Sequence, residues 1–152
     1  MVSAKIRVGD EVPSFSLKNQ HGEEVKIETY FGKPFILYFY PKDGTPVCTA
    51  EACEFRNHYE AFRGLDAEVI GVSADPPATH LAFARAYDLP FLLLSDEKNE
   101  VRNLFGVPDD MLGLIPGRAT YIIDEKGLVR HIFDAQFQVK KHVREALKAL
   151  QK

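Results

Sequence analysis

Apolar and polar positions along the chain fall into blocks that predict strands and helices in turn. "VPSFSL" and "EEVKI", separated by "KNQHG", predict a short hairpin with Gly22 in the turn. "FILYFY" at 35 to 40 carries no polar group except tyrosine hydroxyls, as a central strand covered on both faces would. From Pro46 to about Phe62 the spacing becomes helical, with Ala50, Cys53, Phe55, Tyr59 and Phe62 on the expected buried side and Gly64 as a stop. "AEVIGVSA" reads as a second buried strand, and "PPATHLAFARAYDL" as a helix that begins on proline. "FLLLS" is a third strand, followed by a short helix near 98 to 105. "ATYIID", "EKG" and "LVRHIF" predict an antiparallel hairpin. "VKKHVREALKAL" predicts a last amphipathic helix, with Val139, Val143, Leu147 and Leu150 on one stripe.

Strands alternating with helices, then a hairpin and a closing helix, imply an α/β domain with a mixed central sheet and helices on both faces. At 152 residues the chain fits one domain, taken as 1–152, large enough for a hydrophobic core without covalent staples. An apolar fraction of 45% and a charged fraction of 27% are ordinary for a globular protein. A net charge of -3 gives no electrostatic reason to expect a nucleic-acid or anionic-membrane partner. The opening residues lack the apolar core of a secretory signal, and the longest apolar run is too short to span a bilayer. A cytoplasmic setting is therefore expected, or a plastid one if a transit peptide has been removed.

Two cysteines are too few for a disulfide framework, so each is either a buried spectator or a reactive group. Both fall in "YPKDGTPVCTAEACEF", as Cys48 and Cys53. Thr45 is a good N-cap and Pro46 then occupies the first helical position, which puts Cys48 in the first turn. There its sulfur faces unpaired backbone N–H groups and the positive end of the helix dipole, surroundings that suit a nucleophilic thiolate. Cys53 lies in the middle of the helix in an apolar pattern, where a spectator role would be the default. His58 follows at the same spacing, but three ligands spaced by five fan around a helix, so no zinc site is expected. Glu51 reads as a first-turn carboxylate that stabilises the helix.

The stretch resembles the peroxiredoxin active-site pattern Pro-x-x-x-Thr-x-x-Cys, with Pro41, Thr45 and Cys48 in place. The second cysteine within "VCTAEACEFR" is similar to the peroxiredoxin Q, or bacterioferritin comigratory protein, branch. "PGRATYIIDEKGLV", whose Arg118 matches the family's active-site arginine, and "FQVKKHVREAL" extend the likeness over nearly the whole chain. The resemblance implies a thioredoxin-like fold and thiol-dependent reduction of hydrogen peroxide and organic hydroperoxides, without metal or cofactor. It makes Cys48 the nucleophile and Cys53 the resolving thiol that traps it as a disulfide, which a thioredoxin-type dithiol protein would reduce. Arg118 would hold the thiolate and polarise the peroxide, Thr45 would donate to either, and Pro41 would shield the sulfur from water. The branch also implies a monomer. Two other readings of the chain are a thioredoxin-like disulfide oxidoreductase without peroxidase activity and a binding domain that uses the apolar loop "VPDDMLGLIPG". A CxxC would have favoured the first. In the loop, Met111, Leu112, Leu114 and Ile115 are expected to cover the wall of the active site.

Overall fold

The computed structural model describes residues 5–110 and 115–151, and its elements follow the hydrophobic blocks. In chain order they are β1 (Ser16–Lys18), β2 (Glu24–Lys26), a 3-10 turn (Ile27–Tyr30), β3 (Phe35–Phe39), α1 (Pro46–Asn57), α2 (Tyr59–Gly64) and β4 (Glu68–Ser73). There follow α3 (Pro77–Ala86), β5 (Leu92–Ser95), α4 (Glu100–Phe105), β6 (Asp109–Asp110) and β7 (Ile115–Pro116). The chain closes with β8 (Ala119–Ile123), β9 (Val129–Asp134) and α5 (Val139–Leu150).

Seven strands form one sheet in the order β2-β1-β5-β4-β3-β8-β9. β3 pairs in parallel with β4, and β4 with β5, while β8 runs antiparallel to β3 and β9 antiparallel to β8. β3 lies inside this sheet, between β4 and β8, and is buried along its whole length. Because side chains alternate across a strand, its residues divide between two cores. Phe35, Leu37 and Phe39 join Phe105 of α4 and Tyr121 on one face. Ile36 and Tyr38, with Tyr40 just past the strand, join Phe55, Phe62, Phe83 and Val143 on the other. Helices thus cover both faces, as a fully apolar strand requires. Each large side chain buried in this way contributes about 1.5–3 kcal/mol relative to exposure. The Tyr38 ring stacks on Phe55 at 4.5 Å between centroids, which seats α1 on the sheet.

The helix after the cysteine loop differs from the continuous one the spacing predicts. It breaks at His58 (φ -106°, ψ 8°), whose ring Nδ1 donates to the Glu54 carbonyl at 3.0 Å, a local bond that competes with regular helix geometry. Of its expected buried side, Phe55 and Phe62 are buried, Cys53 and Tyr59 are half-buried, and Ala50 is exposed. Cys48, Glu51 and Ala52 are buried instead. In α5, Val143 is buried as expected, but His142 and Ala146 share the core while Val139, Leu147 and Leu150 are half-buried. Met111, Leu112 and Leu114, with the side chain of Ile115, lie outside the described residues, and so does the expected cover of the active-site wall.

Candidate active site

The site forms where β3 hands over to α1. Tyr40 leaves the strand, and Pro41–Thr45 turn the chain back, with Gly44 at φ +80°, a left-handed conformation in which a side chain would be strained. Thr45 is the N-cap and Pro46 opens the helix, as expected. The Thr45 side chain, however, caps nothing. Its carbonyl accepts the first helical bond from the Thr49 N–H at 2.8 Å, while its hydroxyl donates back to the Lys42 carbonyl at 3.1 Å. The cap therefore works through the backbone, and the hydroxyl proton points away from the first turn. Pro41 is half-buried beside it.

Cys48 sits in that first turn with only 2% of its surface exposed. Arg118, just before β8, reaches it across the end of the sheet and donates from Nη2 to Sγ at 3.3 Å. Two further bonds fix the guanidinium. Nη1 donates to Glu51 Oε1 at 2.5 Å, and Nε donates to the Gln136 carbonyl at 2.9 Å. Burial works against the arginine's charge, but Glu51 and the Cys48 sulfur outweigh it and hold its pKa above the ordinary value. The structure thus brings Cys48 and Arg118 together. Thr45 and Pro41 frame the loop, and Cys53 stands half-buried further along α1, its thiol free.

Glu51 is more than the helix-stabilising carboxylate the sequence suggests. It is fully buried, and burial raises its pKa to about 7 against the opposing pull of Arg118. The residue lies three positions after Cys48, which puts both on one helix face. That spacing was the signal available in the sequence. Behind it, His142 of α5 holds Nδ1 at 3.7 Å from Glu51 Oε2. Burial lowers the His142 pKa to about 4, so the ring is neutral near pH 7. Its Nε2 faces the Ala135 carbonyl at 2.7 Å and must donate there, which leaves Nδ1 to accept from the Thr120 hydroxyl at 2.7 Å. Glu51 Oε2 consequently finds no donor among the described residues.

Two other residues brace the site unseen by sequence reasoning. Arg102 of α4, itself buried, donates from Nη2 to the Gly117 carbonyl at 2.9 Å and more weakly to the Tyr40 carbonyl at 3.5 Å. It ties together the segments that precede Arg118 and Pro41. Gly117 also packs against Pro108 so closely that a Cβ there would lie 1.8 Å from the Pro108 carbonyl oxygen. No helical or strand period marks either contact. A separate cleft of about 500 Å³, lined by Phe31, Lys33 and Arg63 among others, opens near the amino end of β3, remote from Cys48.

Residues 8–132 match the model of the AhpC/TSA family. The chain is 51% identical over 150 residues to the chloroplastic peroxiredoxin Q of Populus jackii, covering 99% of this chain and 70% of that protein. It is also 51% identical to the chloroplastic peroxiredoxin Q of Arabidopsis thaliana, over 99% of this chain and 69% of the relative. Among solved structures it superposes on the peroxidoxin BcpB of Mycobacterium tuberculosis with a TM-score of 0.88 at 33% identity, covering 96% of this chain and 97% of that one. The bacterioferritin comigratory protein of Xanthomonas campestris gives a TM-score of 0.82 at 27% identity, covering 90% of each chain.

Proposed function

The chain belongs to the AhpC/TSA family, in the peroxiredoxin Q branch of the thiol peroxidases, and from that premise we propose that Cys48 is the nucleophile that attacks peroxide. The observation that carries this reading is the contact between two buried groups, Arg118 Nη2 and Cys48 Sγ, in the first turn of a helix. Attack forms a bond from sulfur to one peroxide oxygen as the O–O bond breaks. The other oxygen leaves with the electron pair as hydroxide or alkoxide and departs as water or alcohol after taking up a proton. Arg118 holds fixed positive charge where negative charge develops, and Glu51 and the Gln136 carbonyl prevent it from swinging away. Pro41 screens the sulfur from water. The Thr45 hydroxyl serves the reaction only by turning from the Lys42 carbonyl toward the incoming oxygens.

Cys48 is left as a sulfenic acid, and Cys53 condenses with it to give a disulfide and water. A thioredoxin-type dithiol then restores both thiols by exchange. In a regular helix, Cα atoms five residues apart stand ~8.6 Å from each other, beyond the ~7 Å over which a disulfide closes without backbone movement. The first turns of α1 must therefore open for resolution.

Substrates of this reading include alkyl hydroperoxides alongside hydrogen peroxide, since alkyl peroxide reduction is the activity named for the Xanthomonas relative. The chloroplast setting of the curated relatives favours the plastid over the cytoplasm for this chain too. Among the described residues no helix is long and apolar enough to cross a membrane. The test is a coupled assay with a thioredoxin system and both peroxide types. Cys48→Ser should reduce turnover to the uncatalysed level, because serine supplies almost no alkoxide at neutral pH. Turnover near that of the parent would exclude Cys48 as the nucleophile.

A further inference from the structure

A second buried polar cluster lies on the other side of the loop that leads into α1. At its centre is Asp43, whose Oδ1 accepts from the Tyr40 hydroxyl at 2.5 Å and whose Oδ2 stands 2.6 Å from His80 Nδ1. The Asp43 backbone N–H donates to Asp75 Oδ2 at 2.8 Å, and that oxygen also accepts from the Ser73 hydroxyl at 2.6 Å. All five residues are buried, His80 completely. The loop is thereby fastened to the end of β4 and to α3.

The geometry fixes where the hydrogens are. His80 Nε2 lies 3.0 Å from the Leu94 carbonyl oxygen, which can only accept, so Nε2 carries a hydrogen. Without a second proton, Nδ1 and Oδ2 would be two acceptors facing each other at 2.6 Å. A proton must lie on that contact. The cluster also has the composition of a metal site, since ligand atoms of Asp43, Asp75 and His80 lie within 4.8 Å of one another. Metal–nitrogen and metal–oxygen bonds of about 2 Å each would hold Nδ1 and Oδ2 further apart than they are. Moreover, the Tyr40 hydroxyl already occupies Asp43 Oδ1, and the Ser73 hydroxyl and the Asp43 N–H both occupy Asp75 Oδ2. The cluster is built around a proton.

We propose that the proton shared by His80 and Asp43 makes them positioning residues for peroxide attack: it locks Pro41–Thr45 in the shape that seats Cys48 beside Arg118. Neither side chain touches the reacting atoms. The lock acts on the backbone between Tyr40 and the helix cap, and it forms the fixed boundary beyond which α1 opens when the disulfide closes. This rests on the peroxidase reading above.

Two experiments on the full-length chain test it. In nitrogen-15 spectra of the reduced parent near neutral pH, both His80 ring nitrogens should carry hydrogen, with the Nδ1 proton far downfield. A singly protonated ring overturns the proposal, whatever becomes of any variant. The second experiment follows Cys48 oxidation by hydrogen peroxide, and the later condensation to the disulfide, by stopped flow. His80→Gln keeps a donor for Leu94 but loses the one for Asp43, whereas His80→Asn restores a donor near the Nδ1 position. Oxidation should slow about tenfold in His80→Gln and largely recover in His80→Asn, with condensation changed by less than roughly twofold in both. Parent-like oxidation in His80→Gln overturns the proposal. So does equal slowing of both steps in both variants, the mark of a generally loosened domain, and so does stoichiometric zinc that is lost on substituting His80. A parent that consumes no peroxide would defeat the peroxidase reading instead, and the nitrogen spectra would still decide the lock.

Discussion

Two buried carboxylates flank the start of α1, each with a histidine beside it, and they are built to opposite ends. Around Asp43 both carboxylate oxygens and the backbone N–H have partners, and a proton welds the carboxylate to His80. Around Glu51 the histidine is neutral and turned toward Thr120, one carboxylate oxygen has no donor among the described residues, and burial lifts the pKa to about 7. A fully satisfied network in a low-dielectric interior is rigid, whereas a partly satisfied one is costly and open to rearrangement. The rigid cluster lies outside the reaction and the costly one within hydrogen-bond reach of it. Unmet polar demand gathers beside Cys48, the proposed nucleophile.

The sharpest way to break this contrast is to remove the pivot of the costly cluster. Arg118→Met keeps much of the stem but takes away the charge and all three donated bonds. Peroxide attack should slow by about 10²–10³-fold, the usual effect of losing one preorganised donor to developing charge. The rate of Cys48 oxidation at saturating peroxide is the measurement, and a rate within threefold or so of the parent would mean the charge is not used.

That Arg118 would stand beside Cys48 was legible in "PGRATYIID" through the family likeness alone, for nothing in its spacing brings the two together. The strands and helices were readable because burial imposes a period, two along β3 and near 3.6 along the helices. The two carboxylate clusters were not readable. Asp43, Asp75 and His80 come from three separate segments, and only the parallel pairing of β3 with β4 brings the first two together. Glu51 was visible as a neighbour of Cys48, but its burial depends on α5 packing behind it. Thr45 was rightly placed as the cap, yet its hydroxyl turned to a carbonyl three residues back, a local choice that composition does not reveal.

Amide exchange sharpens the contrast further. On converting the dithiol to the Cys48–Cys53 disulfide, protection should fall about tenfold or more over residues 48 to 55, since opening a helix end costs much less than global unfolding. The Asp43 N–H, held by Asp75, should keep its protection. Equal protection of residues 48 to 55 in both forms, with the bond confirmed by mass spectrometry, would mean the helix stays closed.

The smallest effect concerns pH. Glu51 has a folded pKa raised from 4.5 to about 7, so its stabilising contribution is complete below pH 4.5 and is lost as pH rises through about 7. His142 has a folded pKa lowered from 6.5 to about 4, so it costs stability as pH falls from 6.5 toward 4. Between about pH 4.5 and 6.5 the two slopes oppose each other. Glu51→Gln removes one of them, so the variant's unfolding free energy should climb with pH more steeply than the parent's, by up to about 1.4 kcal/mol per pH unit. Denaturant titrations at several pH values measure this, and parallel curves for the two proteins would place the Glu51 titration outside that window.

Gly117 has no side chain to contribute, yet its position constrains the whole catalytic end. The Pro108 carbonyl oxygen occupies the space a Cβ would need, Arg102 takes hold of the Gly117 carbonyl, and Arg118 comes next in the chain. In mutational terms this is a position without a mild allele. If Cys48 and Arg118 act as proposed, replacing either can leave a folded domain that has lost its chemistry, but even a single methyl at residue 117 must push the Pro108 segment away from the one that leads into the arginine. Folding and catalysis would fail there together, and a genetic screen that selects for folded but inactive protein should recover changes at 48 and 118 and almost none at 117.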